Sequence, residues 1–286
     1  MPPALHSPVR TSEISLFNHQ YLACGSRPDT ALVWGTDVDA EGLVAYLSQR
    51  NRTARNLTSV AHVLIQAVGR SVAQYPALNS RIIRGRIYRF RDVNVRMVSY
   101  DARNSDVNII TVAKADQESL EDITRFVWNS QLEIASGEHS DRIDKVVLSW
   151  GPAFTRRWTS RIFWWLDRNF RLPRIGRIDR HLNSSVVVNY LGFAKAPPMR
   201  MYKPSKFPDE SSLLSVTLGR IEPRPYVLNN QVVVRRVAPL FVRADHRVTD
   251  AFVLSQFIGT LRNLLASPET IEEAPDDSRS AQKKAA

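Results

Sequence analysis

The chain has 286 residues, of which 43% are hydrophobic, and its formal net charge is +11. This length suffices for one large or two small domains with a substantial core, and the positive charge favours anionic partners. The single cysteine, Cys24, excludes an intrachain disulfide framework and a cysteine-based metal site, so we expect a reducing, cytoplasmic compartment. The sequence has no apolar run of about 18 residues, which excludes a membrane-spanning helix, and we expect no signal peptide.

The first part of the chain alternates predicted strands and helices after a variable start. Residues 1–30 are mixed in composition and contain prolines, which predicts a loosely packed N-terminal arm. A strand is predicted for Ala31–Asp39 and a short helix for Ala40–Ser48. Apolar residues at helical spacing predict a longer helix over Thr58–Gln74, which Pro76 ends.

Alternation and helical periodicity predict the remaining elements. The predicted strands are Ile82–Ile83, Val93–Val98, Val107–Thr111, Val186–Asn189, Leu213–Leu218 and Gln231–Val242. The predicted helices are Ser119–Ser130 and Asp250–Leu265. A turn at Asn229-Asn230 predicts a hairpin before the last strand. Strands and helices that intermix in this way indicate an α/β sandwich, and the polar residues 269–286 are predicted to be a disordered tail.

A histidine stands four residues before an aspartate in the segment Asp245–Asp250. His246 follows an apolar run, Val237–Val242, and precedes the last predicted helix, so its backbone is expected to be rigid while its side chain reaches a pocket. Imidazole has an unperturbed pKa that suits proton transfer near neutral pH. Asp250 can fix the local backbone or cap the helix. The spacing alone is compatible both with a catalytic base and with a structural His–Asp pair.

Four blocks of sequence, in order and at compatible spacing, resemble a known family. FVRADHRVTDAF, over Phe241–Phe252, resembles the SFDHRVIDGA segment of the dihydrolipoyl acyltransferases, which are the catalytic cores of 2-oxoacid dehydrogenase complexes. The blocks LGRIEPRP, YPALNS and NYLG resemble the family segments GVGKIEDRPVV, FPELNA and SNLG; they lie at Leu218–Pro225, Tyr75–Ser80 and Asn189–Gly192. The resemblance extends from about Ala31 to Pro268.

This resemblance implies a fold and three site residues. The fold is the chloramphenicol acetyltransferase-like two-layer α/β sandwich, with a mixed sheet and flanking helices, over a catalytic domain of residues 31–268. In the family the motif histidine is the general base, and His246 is the matching residue. The motif aspartate, here Asp250, orients the histidine, usually through an arginine that the sequence does not identify in this chain. The serine or threonine that stabilises the oxyanion aligns with Asn189.

Two departures from the family pattern bear on activity. The glycine after the motif aspartate is Ala251, which is tolerable only at negative φ. Asn189 carries an amide donor that can serve as the oxyanion partner, but it is larger than serine. The alternative interpretation is a lost oxyanion hole and a non-catalytic structural or interaction subunit that keeps the trimeric scaffold.

The resemblance also implies substrates and partners. We expect a standalone acyltransferase with acyl-CoA or an acyl carrier as donor, a small-molecule hydroxyl or thiol as acceptor, and no tightly bound cofactor. Family members are trimers with the active site between subunits, so a homotrimer is expected. A core that works on the lipoyl domain of another protein is allowed by the family, but nothing in the sequence supports it.

Other residues do not indicate a second site. His62 is interpreted as a packed or surface residue, and His19, His139 and His181 have no neighbours at metal-ligand spacing, so no metal is predicted. Residues that bind a cofactor are not identified. No nucleic-acid-binding motif is present.

An Arg- and Trp-rich insertion is predicted at about 140–180. Residues 151–180 contain eight arginines against Asp167 and Asp179, a net charge of +6. Helical spacing would put Trp158, Ile162, Trp165 and Phe170 near one face. Three interpretations remain open: a wall of an acyl or acceptor pocket, an amphipathic element at a membrane surface, or an extra helical hairpin that packs on the core or on a neighbouring subunit.

Overall fold

The computed structural model describes residues 6–9, 31–101, 106–136, 158, 162, 165, 184–192 and 212–272. Within these ranges a small antiparallel sheet has the order β1-β4-β3. Its strands are β1 (His6–Pro8), β3 (Ser80–Ile83) and β4 (Arg86–Phe90).

A larger sheet of seven strands forms the centre of the described fold. Its strands are β2 (Ala31–Asp39), β5 (Val95–Asp101), β6 (Asp106–Val112), β7 (Val186–Tyr190), β8 (Leu214–Leu218), β9 (Glu222–Leu228) and β10 (Gln231–Asp245). The order is β2-β10-β8-β7-β5-β6, and β9 pairs with the first half of β10. The β5–β7 and β7–β8 pairs are parallel and the others are antiparallel, so the sheet is mixed.

Helices cover one face of this sheet. They are α1 (Glu41–Arg50), α2 (Val60–Gln74), α3 (Leu120–Ser136), α4 (Ala251–Ala266) and the short α5 (Glu269–Glu272). Every second residue of the central strands joins the buried apolar sides of these helices in one core, because successive strand side chains point to opposite faces. The predicted two-layer sandwich with a mixed sheet and flanking helices is confirmed.

Two tight turns between neighbouring strands contain residues with left-handed backbone conformation. Asn229 and Asn230 have φ of 49° and 64°, which fits the two-residue turn that joins β9 to β10, so the predicted hairpin is confirmed. Arg84 and Gly85 have φ of 50° and 70° and join β3 to β4 in the same way. The sequence prediction missed β4, because arginines interrupt its apolar residues and leave no regular alternation.

Both ends of the described chain are more ordered than predicted. His6–Pro8, inside the predicted loose arm of residues 1–30, pairs with β4, and the Val9 amide donates to the Ile87 carbonyl at 3.0 Å. The predicted tail of residues 269–286 begins with helix α5, because Ile271 is 2% exposed and packs into the core. Residues 10–30 and 273–286, and the predicted insertion at 140–180 apart from positions 158, 162 and 165, lie outside the described residues. No helix in the described ranges is long and apolar enough to span a bilayer.

Candidate functional site

The predicted motif forms a short loop between β10 and α4. Asp245 ends the strand, and its carbonyl accepts a hydrogen bond from the Val248 amide at 3.1 Å, which closes a turn around the two residues between them. Val248 is 5% exposed and packs with Ile87 and Leu213, against which Val9 also lies. The loop is therefore anchored at its base by a small apolar cluster.

His246 is half-buried in this turn, and its ring is oriented by the loop itself. Its Nδ1 lies 2.7 Å from the carbonyl oxygen of Thr249. A carbonyl oxygen only accepts hydrogen bonds, so Nδ1 carries the proton and the neutral ring has its lone pair on Nε2. This tautomer is the one in which Nε2 can accept a proton from a substrate.

Asp250 caps α4. Its Oδ1 accepts a hydrogen bond from the Val253 amide at 2.8 Å, with the extended backbone of an N-cap residue, φ −112° and ψ 175°. The next residue, Ala251, begins the helix and does not have positive φ. The conformational freedom of the family glycine is thus not needed here, and the cap explains why an aspartate stands at this position.

An ion pair that sequence reasoning missed brackets the histidine. Arg247 donates from Nε to Asp245 Oδ1 at 2.9 Å and from Nη2 to Asp245 Oδ2 at 2.6 Å. The Arg247 amide also donates to Asp245 Oδ1, at 3.0 Å. The signal in the sequence was an acidic and a basic residue on either side of the histidine, and only the turn brings their side chains together.

Asn189 lies near the end of β7, on the sheet face opposite the helices. Its side chain is on the face opposite that of the core residue Val188, and its register partners across the sheet are Thr217 and Phe241. Phe241 precedes Asp245 by four residues in β10, and β8 lies between β10 and β7. At about 3.3 Å per residue and about 4.8 Å per strand, the Cα atoms of Asn189 and Asp245 are roughly 16 Å apart.

This separation keeps Asn189 and His246 of one chain from acting on the same reacting group. The structure therefore places His246 and Asp250 together and leaves Asn189 apart from them within one chain.

Tyr190, the residue after Asn189, explains why the block Asn189–Gly192 ends in a glycine. A Cβ atom at Gly192 would overlap the ring and hydroxyl of Tyr190. Burial raises the pKa of the Tyr190 hydroxyl, so this ring stays neutral beside Asn189. Gly192 thus lets the Tyr190 ring pack at the end of β7.

His62 lies apart from the loop, in the first turn of α2. It is 3% exposed, and its Nδ1 accepts a hydrogen bond from the Ser59 amide at 3.1 Å. Burial lowers its pKa to about 4, so the ring is neutral near pH 7. His62 is therefore a packed residue, which is one of the two interpretations that the sequence left open.

Neither a metal cluster nor a second constellation of site residues is found in the described ranges. No three His, Cys, Asp or Glu side chains there lie together as a metal ion requires. A cavity of about 500 Å³ lies between α3 and the β5–β6 pair and includes Thr111, Asp122 and Phe126 in its walls. It contains none of the predicted site residues.

Comparisons with known proteins agree with this architecture. Residues 208–272 match the model of the family described as 2-oxoacid dehydrogenases acyltransferase (catalytic domain). No curated protein matches the chain by sequence. The matched residues span β8 to α5 and include the loop with His246 and Asp250.

Three solved structures share the fold. The dihydrolipoamide acetyltransferase of Azotobacter vinelandii superposes with a TM-score of 0.62 at 13% identity, over 95% of this chain and 99% of that chain. The cubic core of a pyruvate dehydrogenase multienzyme complex gives 0.61 at 14% identity, over 95% and 99%. A chloramphenicol acetyltransferase gives 0.52 at 12% identity, over 91% and 99%. The chain therefore has the fold shared by dihydrolipoamide acetyltransferase and chloramphenicol acetyltransferase, and its segment 208–272 carries the sequence signature of the 2-oxoacid dehydrogenase acyltransferase catalytic domain.

Proposed function

We propose that this protein is an acyltransferase that moves an acyl group from a CoA or carrier thioester to a hydroxyl or thiol of a small molecule, with His246 as general base. The observation that carries the proposal is the 2.7 Å contact of His246 Nδ1 with the Thr249 carbonyl, which leaves the lone pair of the neutral ring on Nε2. The Azotobacter vinelandii enzyme was investigated for the role of a serine, a histidine and an asparagine in its mechanism, with the last two four positions apart. His246 and Asp250 have the same spacing.

The proposed chemistry needs one proton shuttle and one oxyanion donor. His246 Nε2 removes the proton from the acceptor S–H or O–H, and the resulting nucleophile attacks the thioester carbon. The carbonyl oxygen becomes an oxyanion that accepts a hydrogen bond from the Asn189 amide. Collapse of this intermediate breaks the carbon–sulfur bond, and the leaving thiolate takes the proton back from Nε2. The products are the acylated acceptor and the free thiol of CoA or of the carrier.

A second copy of the chain is required for this site. Since the Cα atoms of Asn189 and of Asp245, the residue before His246, are roughly 16 Å apart in one chain, the amide that serves one imidazole comes from a neighbour. We therefore propose a homotrimer in which each active site lies between two subunits. Such a ring is closed by heterologous contacts, so each copy offers two different surfaces.

The β9–β10 hairpin offers one of these surfaces. We call β9 together with Gln231–Arg236 the arm. One face of the arm is apolar and exposed: Val227, Val232 and Val234 are 67%, 75% and 75% exposed, and Pro225 lies opposite Val234 in the register. Exposed aliphatic faces of this kind are typical of protein interfaces.

The base of the arm is fixed, so its apolar face has a defined direction. The Arg236 amide donates to Glu41 Oε1 at 2.7 Å, and Arg224 Nη1 lies 3.6 Å from Asp37 Oδ1. A pre-ordered arm loses little conformational freedom when it docks. We propose that it packs against the next copy of the chain.

The test of the reaction uses the assembled protein with acetyl-CoA as donor and either dihydrolipoamide or chloramphenicol as acceptor. Conversion of acetyl-CoA to CoA and formation of acetylated acceptor are followed by mass spectrometry. His246→Ala is expected to slow transfer by about 10²–10⁴-fold, because that is the usual contribution of a general base. His62→Gln, which changes a histidine remote from the loop, is the control. Equal rates for the wild type and His246→Ala would exclude the proposed base.

A complementation experiment tests the shared site. His246→Ala and Asn189→Ala are each expected to be nearly inactive as pure proteins. When the two are unfolded together and refolded as mixed assemblies, about one quarter of the sites combine an intact His246 with an intact Asn189 from the neighbour. Activity near that fraction supports a site between subunits, and no recovery contradicts it.

A non-catalytic scaffold is the second candidate. The observation that favours it is Asn189, which stands where the family pattern has a serine or threonine hydroxyl. In this case the protein assembles but accelerates transfer to neither acceptor. An Asn189→Ser variant that gains activity while the wild type has none would support the scaffold.

The Arg- and Trp-rich segment supports a further proposal of peripheral membrane contact. Trp158, Ile162 and Trp165 are helical and 62%, 52% and 56% exposed, at spacings of four and three residues. Exposed aromatics in a segment of net charge +6 suit an anionic bilayer surface. Co-sedimentation with phosphatidylserine vesicles at low salt is expected, and a Trp158→Ser, Trp165→Ser variant is expected to bind less. No sedimentation of the wild type excludes the contact.

A further inference from the structure

The two sequence neighbours of His246, Asp245 and Arg247, form an ion pair with each other. Asp245 is 5% exposed, and its carboxylate receives three hydrogen bonds of 2.6–3.0 Å, all from Arg247. The Arg247 side chain is 14% exposed. Both charges are thus largely removed from water. In such a buried ion pair the loss of one partner is costly, because the other charge is left without compensation.

The pair spans only two residues. In the described part of the chain, the contacts of the Asp245 carboxylate and the Arg247 guanidinium connect the two residues to each other and to no other element. A side-chain bridge between distant elements stabilises the tertiary fold, whereas this bridge restricts the backbone of the residue between its ends. That residue is His246.

The backbone of the turn determines where the imidazole lies. The turn is closed by the Val248 amide on the Asp245 carbonyl, and the contact of His246 Nδ1 with the Thr249 carbonyl crosses the same turn. A change in the Asp245–Val248 backbone therefore moves the ring relative to the Thr249 oxygen. Loss of that hydrogen bond would let the neutral ring carry its proton on either nitrogen.

We propose that Asp245 and Arg247 are positioning residues that hold His246 with its proton on Nδ1 and Nε2 ready to accept one. The inference rests on the proposed function of His246, and it names the two residues that keep this base in its working tautomer. The pair acts through the turn, without contact with the reacting atoms. The two arginine nitrogens and the arginine amide fix the carboxylate, and the carboxylate fixes the turn.

The experiment compares Arg247→Met with Arg247→Lys and with Arg262→Met. Methionine keeps much of the aliphatic stem but removes the guanidinium group, and lysine keeps the charge but cannot make the two-nitrogen contact. Arg262→Met is the control, because Arg262 is an exposed residue of α4. Because Arg247→Met leaves a buried carboxylate unpaired, Asp245→Asn with Arg247→Met is included as a variant without that charge. Circular dichroism and thermal unfolding establish that each variant is folded.

The first readout does not depend on turnover. Nitrogen-15 NMR of the histidine rings distinguishes the proton on Nδ1 from the proton on Nε2. The wild type and Arg262→Met are expected to have the Nδ1–H form of His246, and Arg247→Met and the double variant are expected to show a mixture of both forms. Arg247→Lys should lie between them.

The second readout is the split between kcat and KM with acetyl-CoA and the better of the two acceptors. Arg247→Met and the double variant are expected to lower kcat at least about tenfold with KM within about threefold, because a misaligned base loses part of its usual 10²–10⁴-fold contribution. Folded variants that keep both the wild-type tautomer and the wild-type kcat would overturn the proposal. A shifted tautomer in a protein that transfers no acyl group would leave the pair in its positioning role and remove the acyltransferase function instead.

Discussion

At the residue scale, burial decides the protonation state of His62 and predicts a measurable pH dependence. Its pKa is about 4 in the folded protein and near 6.5 in the unfolded chain, because burial disfavours the charged ring. The unfolded chain therefore binds the extra proton between these values. Its contribution to stability is complete above about pH 6.5 and is lost as the pH falls towards 4.

The matched variant is His62→Gln, since glutamine at the third position of a helix can accept the same hydrogen bond from the Ser59 amide without titrating. Between pH 7 and pH 4.5, the wild type is expected to lose about 2–3 kcal/mol more unfolding free energy than the variant. Urea unfolding at a series of pH values measures this difference. Parallel stability curves for the two proteins would contradict the assignment of a neutral His62.

Some residue-level features of the site could be predicted from the sequence, and others could not. The spacing of His246 and Asp250 predicted a histidine on a short loop before a helix, because local spacing determines a cap and a turn. The Asp245–Arg247 pair was not predicted, because ion pairing depends on a turn whose geometry was unknown. The distance from Asn189 to His246 could not be predicted from the sequence either, since it depends on the order of the strands in the sheet.

At the element scale, close approach of two helix backbones predicts opposite effects at two glycines. A Cβ atom at Gly42 in α1 would overlap the carbonyl oxygen of Ala266 at the end of α4. An added Cβ atom at Gly259, inside α4, would meet no heavy atom within 4 Å apart from its chain neighbours and the backbone of its own helix. The two sites therefore form a matched pair of glycine-to-alanine changes.

Gly42→Ala is expected to lower the free energy of unfolding by about 1–3 kcal/mol, because two backbones must separate. Gly259→Ala is expected to raise it by about 0.5–1 kcal/mol, because alanine is the better helix former. Chemical denaturation of both variants measures the two changes. A neutral Gly42→Ala would mean that α1 and α4 do not approach each other this closely.

Element prediction from the sequence succeeded where one pattern extended over many residues. Helices α2 and α4 were predicted with small errors at their ends, because the periodic spacing of their apolar residues persists over three or more turns. Strand β4 and helix α5 were missed, because each is short and held by contacts from distant residues. Ile271 is an example, since its burial depends on the core around α2 and not on its polar neighbours in sequence.

At the scale of the whole molecule, the arm predicts how assembly is disrupted. Val232→Lys with Val234→Lys puts two charges on the apolar face, and both positions are 75% exposed, so the subunit fold is expected to remain intact. We expect the mass to fall from about three times 32.5 kDa to that of one chain. Mass photometry with circular dichroism checks both statements.

The control for the arm is Gln256→Lys with Asn263→Lys, which adds the same charge to exposed positions of α4. Its mass is expected to match that of the wild type. Acyl transfer should fall in the arm variant and persist in the control, because the proposed site needs a neighbour. An arm variant that stays assembled would show that subunits associate through another surface.

Strand β10 is continuous over 15 residues, from the tip of the hairpin to the residue before the imidazole. At about 3.3 Å per residue, the two ends are some 45 Å apart, so a chain's own hairpin tip cannot touch its own histidine loop. Residues inserted between Asn229 and Asn230 would lengthen the hairpin at the point farthest from His246. A bulky insertion there offers a route to single subunits with an unaltered histidine loop, in which proton affinity and thioester binding can be measured without turnover.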